Sequence, residues 1–107
     1  MKQRVGVIHR FIHDKKGYID KVEFFGYGEI IAEEVPPPGV MFMGIDMHKA
    51  GDEIAKIQLD NGDTVWGCEC IFNTEETIQR EIKDKEIIEV RINDVRGNSH
   101  YGSLIVG

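Results

Sequence analysis

The chain has 107 residues, 41% of them hydrophobic and 30% charged, which fits one compact domain over residues 1–107 with a small core. No apolar run approaches the roughly 20 residues of a transmembrane helix, and Met1–Arg10 lacks the continuous apolar stretch of a secretory signal, so a cytoplasmic protein that does not enter a membrane is expected. The net charge is −6, and residues 23–86 carry five Lys or Arg against fifteen Asp or Glu; that acidic body argues against a nucleic-acid polymer as partner, because such binding rests on neutralising phosphates.

Residues 1–22 have the opposite balance, six Lys or Arg against two Asp. Within them, Val5 to His13 alternates as a strand with apolar residues on both faces, and Lys15-Lys16-Gly17 supplies a turn. A second strand, rich in aromatic and β-branched residues, runs from Tyr18 to Ala32. Gly26 and Gly28 flank Tyr27 inside it, where glycine marks a bulge, a sharp bend or a close backbone approach.

A long irregular loop is expected at about 34–53. It opens on Val35-Pro36-Pro37-Pro38-Gly39, a stiff polyproline-like stretch, and holds Met41, Met43 and Met47, three of the four methionines in the chain. A connection of this length is several times the usual one and tends to be functional or mobile. Methionines and aromatics in such a loop form adaptable contact surfaces, so Pro37, Met41, Phe42, Met43 and Met47 are the candidate partner-binding residues.

Residues 55–72 read as a hairpin about Asn61-Gly62, both of which tolerate the positive φ of a two-residue type I′ turn. That turn would pair Leu59 with Thr64, Ile57 with Trp66 and Ala55 with Cys68, with Cys70 and Phe72 extending the same face. Cys68 and Cys70 would then be reduced core residues in a strand, badly placed to bond to each other. A short helix follows at 74–84, capped by Asn73 with Glu76 and presenting Ile78 and Ile82. Glu86 to Val95 reads as a strand, Arg96–His100 as a turn and Tyr101–Val106 as a short final strand. The expected class is mainly β: a small, strongly bent antiparallel barrel or sheet, SH3-like in style, with one short helix.

Catalytic signatures are absent from the sequence: there is no Gly-x-Ser-x-Gly, no His-Glu-x-x-His and no phosphate-cradling loop. No enzyme, cofactor or metal site is expected. A zinc reading of Cys68 and Cys70 with His9, His13, His48 and His100 is the third choice, because Cys-x-Cys in a strand suits a metal poorly and His9 and His13 would lie about 13 Å apart. The first reading is a non-enzymatic module acting through protein contacts, with a second copy among its partners. The alternative is a binder or sequesterer of a small anionic, nucleotide-like ligand, a role met among phage accessory and anti-defence proteins. Its candidate residues are Tyr27, Arg91, Asn93, Arg96 and His100, a basic polar set in an acidic chain.

Overall fold

The computed structural model describes residues 3–96; the turn expected at Arg96–His100 and the final strand expected at Tyr101–Val106 lie, past Arg96, outside them. The described chain is mainly β. Strands β1 (Gln3–His13) and β2 (Ile19–Glu34) form a long antiparallel hairpin closed by the Lys15–Gly17 turn. A miniature hairpin, β3 (Met41–Phe42) and β4 (Ile45–Asp46), runs into a single helical turn, α1 (Met47–Ala50). Next come β5 (Ile54–Leu59), β6 (Thr64–Trp66), a 3-10 turn at Gly67–Glu69, and β7 (Ile71–Thr74). Helix α2 (Glu75–Ile82), β8 (Glu86–Glu89) and α3 (Ile92–Val95) complete it.

The main sheet is open and bent, with order β6-β5-β2-β1-β7. It takes the sheet form of the expected class, not the closed barrel. All its pairings are antiparallel except one: β8 lies parallel to β2 over Lys21–Phe24. β2 is therefore the spine. One of its edges is covered by β1; the other is shared by β8 beside its first half and β5 beside its second, from Gly28 to Glu34.

The bend sits where sequence placed the glycines. Gly26 pairs with Val7 and Phe24 with Ile8, so Phe25 is an extra residue in β2; Arg10 pairs with Glu23, so His9 is an extra residue in β1 that restores the register. Gly26 has φ +126, open only to glycine. Gly28 serves closeness instead: a Cβ there would lie 2.8 Å from the Leu59 Cα and nearer still to the Gln58 carbonyl oxygen.

The two sheet faces carry separate cores. Val5, Val7, Phe25, Ile57, Leu59, Val65 and Ile92 fill one. On the other, Ile78 of α2 packs on Ile8, Val22 and Phe24, with Ile82 alongside.

Four expectations are corrected. The β5–β6 turn has three residues, not two: the Leu59 N–H donates to the Asp63 carbonyl at 2.8 Å, Asn61 Oδ1 accepts from the Asp63 N–H, and of the turn residues only Gly62 has positive φ. The extra residue shifts the register by one, so Ile57 faces Val65, and Trp66 faces Lys56, whose ammonium lies 5.8 Å from the indole centroid. The strand containing the cysteines stops at Trp66; Cys68 sits in the 3-10 turn and Cys70 after it. The last strand ends at Glu89, and Ile92–Val95 is helical. Helix α2 falls inside its expected span, but its N-cap is Thr74, whose hydroxyl accepts from the Thr77 N–H at 3.2 Å, while Asn73 Oδ1 accepts from the Thr74 N–H.

Candidate functional site

The expected long loop is built rather than irregular. Pro36, Val40 and Met47 are buried at its base. The Met47 N–H donates to the Val40 carbonyl at 2.9 Å, and His48 Nδ1 lies 2.9 Å from the Pro36 carbonyl, which can only accept, so that nitrogen carries a proton. Asp46 caps α1 by accepting from the His48 N–H, and Gly51 ends it in the left-handed conformation. On this base β3 and β4 project as a knuckle whose two-residue turn is Met43-Gly44, with φ +51 and +81. Both turn residues have positive φ, as a type I′ turn requires. Met43 is the only non-glycine residue with positive φ among the described residues, and it is also 74% exposed. Ile45 is 56% exposed, and Met41, Phe42 and Val35 are about half as exposed as Met43.

Of the sequence-predicted contact residues, Pro37, Met41, Phe42 and Met43 are on the surface; Met47 is buried and anchors the knuckle instead. Residues 29–53 carry Glu29, Glu33, Glu34, Asp46, Asp52 and Glu53 against Lys49 alone. The knuckle is thus apolar at its tip and acidic along its flanking chain.

The predicted ligand set is dispersed. Arg91 makes a two-bond pair with Asp63, at 2.7 and 2.8 Å, which holds the Asp63 carboxyl below its usual range. Arg96 is bound in the same way to Glu69, both bonds 2.7 Å, and donates to the Thr64 carbonyl at 3.1 Å. Asn93 is exposed on α3, and His100 lies outside the described residues. Tyr27, expected at the surface between its glycines, is half-buried and packs edge-on against Phe24 with centroids 5.0 Å apart; burial raises its phenol above the ordinary value.

Tyr27 and Arg91 do meet, in a cleft of about 480 Å³ also lined by Phe24, Phe25, Gly26, Asp60, Asn61, Glu89 and Val90. The cleft falls between the end of the β8 pairing at Phe24 and the start of the β5 pairing at Gly28, an arrangement that no residue pattern in the sequence marked.

No family model, curated protein or solved structure matches this chain. Its chemistry has to be read from its own side chains.

The cysteines are unbridged. Burial pushes the Cys68 thiol up and the Cys70 thiol up strongly, with the Glu69 carboxylate adding to both; neither has the thiolate character of a nucleophile. Among the described residues no group of three or more His, Cys, Asp or Glu converges as metal ligands. Likewise, no described helix is long and apolar enough to cross a membrane.

Proposed function

We propose that this chain is a non-enzymatic binding module that works through protein contacts made by the Met41–Ile45 knuckle. The observation that carries the reading is Met43. A side chain that gains most from burial stands at the apex of a turn, largely in water, in a backbone conformation that costs L-residues about 1 kcal/mol or more. Asn or Gly would form the same turn without that cost. Burial of the base supports the reading too, because a contact presented on a fixed support loses less entropy on binding than one on a mobile loop.

The partner chemistry follows from the flanks: an apolar pocket rimmed by Lys or Arg. Self-association is the case in which a second copy supplies that pocket. Two unbridged thiols with raised pKa suit a reducing compartment, which makes the cytoplasm the proposed location. The anion-binding alternative has less support, since an incoming anion has to displace Asp63 from Arg91 or Glu69 from Arg96.

A photo-crosslinking residue at position 43, combined with sedimentation of the purified protein, tests the reading. A crosslinked partner, or a second copy, should lose at least tenfold in affinity for the Met43→Glu variant. Equal binding by wild type and variant would remove the knuckle from the interface. Deleting residues 36–51 is the poorer test, because it also removes buried Pro36, Val40 and Met47.

A further inference from the structure

We infer that the cleft between β5 and β8 is a binding site for an alkylated ammonium group, separate from the knuckle. Its origin is topological. The parallel ladder with β8 closes at Phe24, whose carbonyl accepts from the Val90 N–H at 3.1 Å; the contacts with the β5 side begin at Tyr27, whose carbonyl accepts from the Asp60 N–H at 2.9 Å. Between them, among the described residues, the spine strand has no strand neighbour on that edge, and the gap holds bulged Phe25 and Gly26. A Cβ on Gly26 would meet nothing within 4 Å, so the glycine leaves the space open. Crevices where the strands beside one spine diverge are recurrent ligand sites, and this volume suits a small molecule.

Charge selects the ligand. Tyr27 and Phe24, packed edge-on with ring centroids 5.0 Å apart, contribute to the lining, while Phe25 at its wall is buried in the core of the opposite face. Arg91 is answered by Asp63, and Asp60 accepts two bonds from Arg4, 2.8 and 2.7 Å, while that same guanidinium also pairs with Glu75 and Glu29. Glu89 has no ion-pair partner among the described residues. The uncompensated charge of the cleft is therefore negative, and an anion is disfavoured there. A compact metal ion is disfavoured as well, because the described residues bring together no ligand set to replace its hydration shell. A weakly hydrated ammonium bearing methyl groups gives up little water, gains from the half-buried Tyr27 ring and is balanced by Glu89.

The ammonium could be a free small molecule or a modified lysine on a polypeptide; the chemistry is shared. Amide NMR titration of the full chain distinguishes them with three probes: choline, its neutral isostere 3,3-dimethylbutan-1-ol, and a short peptide containing trimethyllysine. Choline should give saturable shifts at Gly26, Tyr27 and Val90, and the isostere should bind about tenfold more weakly. Glu89→Gln, at an exposed position, should leave the rest of the spectrum in place and weaken choline by about tenfold. A peptide tighter than choline would assign the ammonium to a polypeptide; parity would assign it to a free ligand. Choline binding no better than its isostere, shifts outside the cleft, or an unchanged affinity in Glu89→Gln would overturn the inference.

Discussion

Glu69 is 7% exposed, yet each carboxylate oxygen has a donor: Oε1 accepts from the Trp66 N–H at 3.0 Å and from Arg96 Nη2, and Oε2 accepts from Arg96 Nε. A buried carboxylate survives only when its hydrogen bonds are all made, since leaving one partner unpaired costs more than the pair gains. The pair ties the 3-10 turn to the end of α3, and Arg96 also reaches the Thr64 carbonyl of β6. Glu69→Gln keeps the shape but removes the charge and one acceptor. It should lower stability by roughly 2 kcal/mol, discounted from a fully buried pair because Arg96 still reaches water. A urea titration should show a lower midpoint at unchanged slope; an unchanged midpoint would mean the pair is only decorative. Nothing in the sequence marked this residue. Between two cysteines it read as the outward position of a strand, and its partner is 27 residues away. Gly26 and Gly28 were legible because a glycine inside a strand has few physical reasons to be there, and the structure uses two of them.

Helix α2 was readable as an element, from acids in its first turn and isoleucines four apart. Its docking site was not. It lies over Gly6, where a Cβ would fall 2.6 Å from the Ile78 Cβ, and Ile78 is the only buried residue of the helix. The missing side chain lets the helix approach the sheet, at a position whose neighbours Val5 and Val7 face the opposite core. Gly6→Ala should force α2 outward at a cost of about 1–3 kcal/mol, and Ile78→Ala should cost about 2–4 kcal/mol through the cavity it leaves. The two should compensate: the double variant is expected to be more stable than the sum of the single losses implies, because the smaller side chain makes room for the new methyl. Strict additivity in equilibrium unfolding would show that the helix is not seated on Gly6. The β5–β6 hairpin shows the opposite limit of pattern reading. Asn61-Gly62 located the turn, but whether it spans two or three residues is set by which register buries Val65 with Ile57, a tertiary choice.

Across the whole molecule, four of the five arginines are held by carboxylates: Arg4 by Asp60, Glu29 and Glu75, Arg10 by Glu23, Arg91 by Asp63, and Arg96 by Glu69. Three of these four arginines pair with carboxylates far away in sequence, so a chain that reads as an acidic body with a basic start folds into crossed pairs. That arrangement decides the response to acid. Two effects oppose each other as pH falls: net charge −6 shrinks, which relieves self-repulsion, while the paired carboxylates become protonated. Burial raises the Glu23 carboxyl, but Arg10 and His9, whose Nδ1 donates at 3.0 Å, more than offset it, so its pKa lies below the usual 4.5. Asp60 beside Arg4 and Asp63 beside Arg91 lie below the usual 3.8. For a lowered carboxyl the unfolded chain takes up protons first. The stabilisation is complete above the unfolded pKa and is lost as pH falls through the folded one. Stability should therefore decline below about pH 5. The exposed Asp60 pair is largely screened by salt, whereas Glu23, with only 14% of its side chain exposed, is not. In molar salt, the acid loss that remains should come from Glu23 and from Asp63, whose side chain is 11% exposed. Urea unfolding between pH 7 and pH 3 should then give a steep wild-type curve and a distinctly flatter one for Glu23→Gln. Parallel curves would place the acid sensitivity on other carboxylates.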